Sequence, residues 1–247
     1  MIPLKSKEDL AMLRKSGVIL VKIIEELRVF IKAGITTEDI NCLAKELMDR
    51  EKVESAFKGY NGFPEYICTS INEEIVHGIP GKRELKDGDI ISLDAGIKYK
   101  GYFSDLAITI PIGKVSLRVK KLIDVTRDAL SEGIKEARVD NYLSDISYVI
   151  QRYVENNGFS VVRQFVGHGI GSALHEEPEV PNFGLPQRGP VLKEGMVLAI
   201  EPMVNMGNWE SEILDNGWTA VTKDRALSAH FEHTVAITED GPKILTS

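Results

Sequence analysis

The sequence predicts an α+β fold in which two α-α-β halves pack around a central antiparallel sheet. Two observations lead to this prediction. Amphipathic helices recur as two pairs about 105 residues apart. The strands after each pair share a pattern, since KDGDIISLDAG (86–96) aligns with KEGMVLAIEPM (193–203) at an offset of 107 residues. We therefore expect a single domain over residues 1–247, with an internal repeat of roughly 1–112 and 113–247.

The first half opens with two capped helices. Ser6 followed by Asp9 predicts the start of a helix that runs through Ile31. Thr36 followed by Asp39 predicts the start of the next, because a hydroxyl and an acid three residues apart can satisfy free amides of a first helical turn. Apolar residues at helical spacing give this second helix its buried face: Ile40, Leu43, Ala44, Leu47 and Met48.

The second half repeats this pair of helices. A third helix is predicted to start near Ser116. A fourth is predicted to follow Ser144 and to stop at Asn157-Gly158, where glycine can adopt the left-handed conformation that ends many helices. Apolar residues line one face of each helix: Val119, Leu122, Ile123, Leu130 and Ile134 in the third, and Ile146, Val149, Ile150 and Val154 in the fourth.

Acidic residues occupy matching positions in the two halves. Asp94 ends the apolar run of the first half, and Glu201 ends the matching run of the second. Further on, SDLAITI aligns with FEHTVAI, which matches Asp105 with Glu232. A lone acid after an apolar run is usually a solvated strand end, but four acids at equivalent positions would meet in the interior if the halves pack about a pseudo-twofold axis. Four buried carboxylates cannot all stay ionised without cations, so this arrangement predicts a metal site.

The total charge of these residues indicates two metal ions. Asp94 and Asp105 lie eleven residues apart, which suits a hairpin with its turn near Lys98 to Gly101 and both acids on one face. Four carboxylates with a total charge of −4 would balance two divalent ions, and oxygen ligands with one or two imidazoles suit Mn, Fe, Co or Zn. The nitrogen ligand is best sought in GHGIG (167–171), where glycines flank His168 and leave it access to a crowded centre.

Composition excludes several classes of protein. Net charge is −7, from 30 basic and 37 acidic residues, which argues against nucleic acid or an anionic membrane as the main partner. Two cysteines, Cys42 and Cys68, cannot form a disulfide framework and favour a reducing, cytoplasmic setting. The N-terminal residues do not have the layout of a signal peptide, and no apolar run approaches the ~18 residues of a membrane span.

Seven ordered motifs resemble those of the type I methionine aminopeptidases, which belong to the M24-type metallopeptidases with a pita-bread fold. They are HGIP (77–80), LDAG with Asp94, SD with Asp105, GHGIG with His168, HEEP (175–178), IEPM with Glu201, and SAHFEHT with Glu232. The resemblance covers essentially the whole chain. It implies a single catalytic domain that removes the initiator methionine from nascent proteins and peptides when the second residue is small.

The resemblance also implies a role for each matching residue. Asp94 would hold the second of two divalent metals, Asp105 and Glu232 would bridge both, and His168 and Glu201 would hold the first. Glu201 would also shuttle a proton to or from the water that attacks the peptide bond. His175 would polarise the carbonyl, and His77 would contact the scissile amide. The matching positions of the methionine pocket are His77, His175, Phe57, Tyr60, Phe63, Cys68 and Trp218.

Two other functions remain open on the sequence alone. Prolidases and X-Pro aminopeptidases share this fold, and so do non-catalytic binding proteins. Prolidases and X-Pro aminopeptidases usually carry an extra N-terminal domain. Non-catalytic binding proteins would be expected to lack the metal ligands. For a methionine aminopeptidase we expect N-terminal Met peptides and nascent chains as partners, with the ribosome as a further candidate. We also expect a monomer that does not act on nucleic acid.

Overall fold

Four helices form in the two predicted pairs. The protein is described by a computed structural model that covers residues 2–247. The helices are α1 (Lys7–Phe30), α2 (Thr37–Glu51), α3 (Leu117–Glu136) and α4 (Leu143–Asn156). The predicted caps at Ser6, Thr36 and Ser116 are confirmed, because each hydroxyl accepts a hydrogen bond from the amide three residues later. Helix α1 ends one residue before the predicted limit.

The predicted start of the fourth helix is wrong by two residues. Tyr142 is the N-cap, and its amide donates to the Asp145 carboxylate at 2.8 Å. The Ser144 hydroxyl instead accepts a hydrogen bond from the amide of Arg188, in a distant loop, at 2.6 Å. Ser144 therefore hydrogen-bonds to a distant loop and does not cap the helix, although serine is a common capping residue.

A curved antiparallel sheet of nine strands forms the centre of the fold. Its strand order is β1-β4-β5-β14-β9-β7-β8, with β2 also paired to β4 and β15 to β14. Two three-stranded sheets, β13-β10-β6 and β11-β12-β3, complete the structure. The bounds of the strands are β1 Glu54–Ser55, β2 Cys68–Ile71, β3 Glu74–Val76, β4 Ile90–Tyr99, β5 Tyr102–Pro111, β6 Ser160–Val161, β7 Gly167–Gly169, β8 Glu176–Val180, β9 Val197–Ile200, β10 Met203–Asn205, β11 Ser211–Ile213, β12 Ala220–Thr222, β13 Ser228–His230, β14 Glu232–Thr238 and β15 Gly241–Ile244.

The hairpin of β4 and β5 has the predicted geometry. Its two-residue turn is Lys100-Gly101, both with positive φ, as type I′ turns require. Asp94 lies opposite Ala107 and Gly96 lies opposite Asp105. The two acids are therefore offset by two residues across the hairpin and point to the same face of the sheet.

The helices cover the other face of the sheet. Residues 91, 93, 95 and 97 of β4 are buried with α1 and α2 in one apolar cluster, and Leu198, Ile200, Val235 and Ile237 are buried with α3 and α4 in another. Because side chains alternate along a strand, the acids at positions 94, 201 and 232 point away from the helices. These clusters confirm the α+β class, and the sheet presents its acidic positions on one face.

None of the helices within residues 2–247 is long and apolar enough to cross a membrane.

Candidate metal centre and substrate pocket

One cavity of about 200 Å³ brings together every residue that the sequence predicted for the site. The predicted residues that line it are Phe57, Tyr60, Phe63, Cys68, His77, Asp94, Asp105, His168, His175, Glu201, Trp218 and Glu232. Asn61 and Leu174 complete the lining. Asn61 was not predicted, although the GYNG turn that holds it is glycine-flanked and Asn61 has a φ of 48°.

The five predicted metal ligands come from five consecutive strands of the sheet. Asp94 lies on β4, Asp105 on β5, Glu232 at the start of β14, Glu201 directly after β9, and His168 on β7. The sheet register brings the first three close together. Asp94 and Glu232 both lie opposite Ala107, on either side of β5, and Asp105 is two residues from Ala107.

Side-chain hydrogen bonds extend the pairing of β5 with β14 and with the end of β13. The two strands share only two opposed residue pairs, Glu232 with Ala107 and His233 with Leu106. Thr234 bonds through its hydroxyl to the amide and the carbonyl of Asp105, at 3.0 and 2.9 Å. Thr109 bonds in the same way to the amide and the carbonyl of His230, both at 2.8 Å. The backbone amides and carbonyls of Asp105 and His230, next to the acidic cluster, are thus hydrogen-bonded. These bonds hold the strands together on both sides of the two residue pairs that β5 shares with β14.

Ligand atoms of three predicted residues lie close enough to share an ion. Donor atoms of Asp105, His168 and Glu232 all lie within 4.8 Å of one another. Oε1 of Glu201 is 3.7 Å from Nε2 of His168, and Asp94 lines the same cavity. The donor set contains carboxylate oxygens and an imidazole, a combination that suits Mn, Fe, Co and Zn. The complete ligand set remains a prediction.

The carboxylates have raised pKa values and unpaired buried oxygens, as is typical of a cation site. Burial, with a further contribution from Glu201, raises the pKa of Asp94 to about 7, and burial raises the pKa of Glu201 to about 8. Burial and then the neighbouring carboxylates hold the pKa values of Asp105 and Glu232 well above the ordinary range. Within residues 2–247, Oδ1 of Asp94 and Oε1 of Glu232 are buried without a hydrogen-bond partner. Such oxygens are costly to bury unless they bind a cation, so these residues fit a metal centre.

His168 is prepared to act as a ligand. Its Nδ1 lies 2.9 Å from the carbonyl oxygen of Gly169, and since a carbonyl can only accept, Nδ1 carries the proton. Burial lowers the pKa of His168 to about 4, which keeps the ring neutral at physiological pH. Its Nε2 lone pair, on the side of Glu201, is therefore free to bind a metal.

The two histidines that flank Glu232 have different environments. The ring of His233 bonds through Nδ1 to the Thr246 hydroxyl at 3.0 Å, near the C-terminus. His230 is 1% exposed and its Nε2 lies 3.5 Å from Oε2 of Glu201. Neither of its ring nitrogens has a hydrogen-bond partner among the described residues. Glu201 thus lies between the imidazoles of His168 and His230, and His230 lies beside the site although it was not among the predicted site residues.

His175 and His77 occupy irregular segments beside the cluster. Nδ1 of His175 is 2.7 Å from the Tyr60 hydroxyl, and its ring centroid is 4.2 Å from that of His168. His77 has a φ of 59°, an uncommon conformation for a non-glycine residue and one often found at functional sites. Burial lowers the pKa of His77 to about 4, and burial also lowers that of His175, so both rings are neutral near pH 7.

Aromatic rings form the apolar part of the cavity. Phe63 packs edge-on against Trp218, at 5.1 Å between ring centroids, and against Phe57, at 6.5 Å. Cys68 is buried beside them, and burial and then the nearby carboxylates raise the pKa of its thiol well above the ordinary value. A protonated thiol is a poor nucleophile, so Cys68 contributes a wall of the pocket.

Comparison with known proteins identifies close relatives of the chain. Residues 11–239 match metallopeptidase family M24. The chain is 52% identical to a methionine aminopeptidase of Clostridium perfringens and to methionine aminopeptidase 1 of Bacillus subtilis, in each case over 100% of this chain and 99% of the relative. A methionine aminopeptidase from Thermotoga maritima, known from a crystal structure, is 44% identical to this chain in sequence. The two structures superpose with a TM-score of 0.98 and full coverage of both chains. A prolidase from Pyrococcus horikoshii has the same fold at 22% identity, with a TM-score of 0.81, and this chain covers 63% of it.

The carboxylate pKa values predict how pH affects the metal-free protein. Between pH 6.5 and 8.5 the folded protein releases protons from Asp94 and Glu201, whereas the unfolded chain has already ionised these groups. The folded state binds more protons in this range, so the free energy of unfolding falls as pH rises. The neutral histidines act in the opposite direction but only between pH 4 and 6.5, because His77, His168 and His233 have folded pKa values of about 4.

Thermal unfolding at several pH values measures this effect. We expect the Tm of the metal-free protein to fall from pH 6.5 to 8.5, and the fall to disappear when Mn²⁺ is added. The Asp94→Asn variant should show a shallower fall, because one of the two titrating groups is removed. A metal-free Tm that is constant or rises across this range would contradict the raised pKa values of Asp94 and Glu201.

Proposed function

Because the chain belongs to metallopeptidase family M24 and is a methionine aminopeptidase, we propose that it works with two divalent metal ions. The residues that would hold them are Asp94, Asp105, His168, Glu201 and Glu232. The observation that supports this proposal best is the convergence of these side chains, from five adjacent strands, on one cavity in which buried carboxylate oxygens lack partners. Charge balance favours two ions, because four carboxylates would otherwise keep protons near pH 7.

The alternatives that the sequence left open are not favoured. The chain has the pita-bread fold that prolidases share, but at 22% identity the prolidase match supports the fold alone. The full-length relatives at 52% identity are methionine aminopeptidases. A non-catalytic binding protein is disfavoured for the same reason.

The side chains of the site suit hydrolysis of a peptide bond. Bound metal ions would act as Lewis acids, polarising the peptide carbonyl and making the attacking water more acidic. Glu201, which lines the cavity, would accept a proton from the attacking water and pass it on. The Tyr60 hydroxyl can donate to Nδ1 of His175, which leaves the His175 proton on Nε2 for donation to the carbonyl oxygen. His77 would contact the scissile amide in the same neutral form.

The apolar wall of the cavity suits the side chain of methionine. At about 200 Å³ the cavity lies below the ~300–1,000 Å³ of sites for larger ligands, so it has room for a single side chain. Its wall consists of Tyr60, Phe57, Phe63, Cys68 and Trp218. The four aromatic rings offer their edges and faces to a flexible, polarisable thioether. The amino-terminal residue of a peptide would thus lie beside the metal cluster.

The remaining parts of the proposal concern the setting of the enzyme. The metals would be two of Co, Mn, Fe or Zn, since each is compatible with these donors. Its partners would be N-terminal Met peptides and nascent chains, and the ribosome where these emerge. A protein that processes nascent chains would work in the cytoplasm, as a monomer with one catalytic domain over residues 1–247.

Removal of one bridging carboxylate tests the metal proposal. We expect Asp105→Asn and Glu232→Gln each to abolish peptide hydrolysis at saturating Mn²⁺ or Co²⁺, because each loses the negative charge and one of the two carboxylate oxygens that would serve both ions. Metal content should fall below two ions per chain. Glu239→Gln, an exposed acid in the turn after β14, is a matched control and should keep full activity. More than a tenth of wild-type turnover in either site variant would contradict the proposal.

Peptide specificity tests the functional assignment. We expect Met-Ala-Ser to be cleaved much more efficiently than Met-Lys-Ser, because the resemblance implies a shallow cavity for the second residue. The measurement is kcat/KM for both peptides, with Ala-Pro as a prolidase substrate for comparison. Equal values for the two Met peptides would contradict the small-residue rule, and efficient cleavage of Ala-Pro would favour the prolidase alternative.

A further inference from the structure

The segment before helix α1 reaches the loop that carries His175. Nζ of Lys5 lies 2.5 Å from Oε2 of Glu176, the residue that follows His175. The side chains of Lys5 and Glu176 are each only 9% exposed. Lysine and glutamate are almost never buried unless they are paired, and this pair connects residues 171 positions apart. It is therefore unlike the exposed ion pairs on the helices of this protein, which contribute little to stability.

Glu176 holds the turn in front of it together. Its second oxygen, Oε1, accepts hydrogen bonds from the amide of Ser172 at 2.8 Å, from the hydroxyl of Ser172 at 3.0 Å and from the amide of Ala173 at 3.2 Å. Lys5 supplies the countercharge to the other oxygen. The Glu176 carboxylate thus adds three hydrogen bonds to a turn in which the Gly171 amide also donates to the carbonyl of Ala173, at 3.1 Å. Lys5 is the cation that pairs with this carboxylate.

The lysine fits closely against the turn. A Cβ atom on Gly171 would lie 2.3 Å from Cε and 2.4 Å from Nζ of Lys5, so the side chain crosses the turn where glycine leaves space. The backbone amide of Lys5 donates to the carbonyl of Gly195 at 2.7 Å, at the turn that leads into β9 and Glu201. Lys5 therefore connects the His175 turn to the strand that precedes Glu201.

We infer that Lys5 is a positioning residue for His175. Glu176 is covalently next to His175, so the ion pair fixes the backbone from which the imidazole projects, while Tyr60 holds Nδ1 of the ring. Without the ammonium group, a buried carboxylate would be left without a countercharge, which proteins avoid by admitting water or by local rearrangement. The turn would then open, and the His175 ring would lose its alignment. This inference depends on the catalytic role proposed for His175.

Kinetics of the metal-loaded Lys5→Met variant test the inference. Methionine keeps most of the length of the unbranched side chain and removes its charge. We expect kcat for Met-Ala-Ser to fall about tenfold or more while KM changes little, because a misplaced carbonyl-polarising group affects the transition state more than binding. Lys7→Met is the matched control, since Lys7 is exposed and lies two residues away, and its kcat should equal that of wild type.

A double variant distinguishes positioning from loss of general stability. Glu176→Gln alone should also lower kcat, because it leaves the ammonium group without its countercharge. The combined Lys5→Met and Glu176→Gln variant should recover part of kcat, because no unpaired charge remains and the Gln carbonyl can still accept hydrogen bonds from the turn. If Lys5→Met does not fold, the kcat of Glu176→Gln alone decides the question.

Three results would overturn the inference. A wild-type kcat in Lys5→Met with a lowered Tm would make the pair purely structural. A double variant whose loss equals the product of the two single losses would show that the residues act independently. A wild-type kcat in Glu176→Gln would show that the turn does not need the pair. Failure of the catalytic role proposed for His175 is separate, because it would appear as full activity of His175→Ala, and failure of the proposed function would appear as no hydrolysis of Met-Ala-Ser by the wild type.

Discussion

Burial of four neighbouring carboxylates in one cavity is the constraint on which this structure depends. Asp94, Asp105 and Glu232 are each less than a tenth exposed, and Glu201 joins them in the same cavity. Carboxylates so placed must either keep protons or bind cations. Without metal, their pKa values are raised, which means that they keep protons. The arrangement is costly to fold on its own, so its presence indicates function more strongly than any single motif.

The sheet can hold this cluster because one of its faces packs against the helices and the other carries the acidic residues. Along β4 the even position 94 is acidic, whereas the odd positions 91 to 97 are buried under α1 and α2. The same alternation places Glu201 and Glu232 opposite the residues that pack on α3 and α4. A shift of one residue in any of these strands would exchange an acid for a core residue, so the apolar clusters fix the register on which the site depends.

Much of this could be predicted because the signals were local or repeated. Helix caps, the type I′ hairpin and the matching acids are patterns within short stretches of sequence, and all twelve predicted site residues line one cavity. Other features could not be predicted because distant segments determine them. Ser144 bonds to a loop instead of capping a helix, and nothing near Lys5 in the sequence indicates Glu176. His230 and His233 flank the same acid, yet only the fold shows that His230 lies beside Glu201 whereas His233 binds Thr246.

The central claim is that this cluster exists to hold two metal ions between its carboxylates. Anomalous scattering from crystals grown with saturating Mn²⁺ tests it most directly. Our account predicts two peaks in the cavity, both in contact with Asp105 and Glu232, with Asp94 at one peak and His168 and Glu201 at the other. A single peak at full occupancy, or none, would contradict it and would mean that protons neutralise some or all of the carboxylates instead.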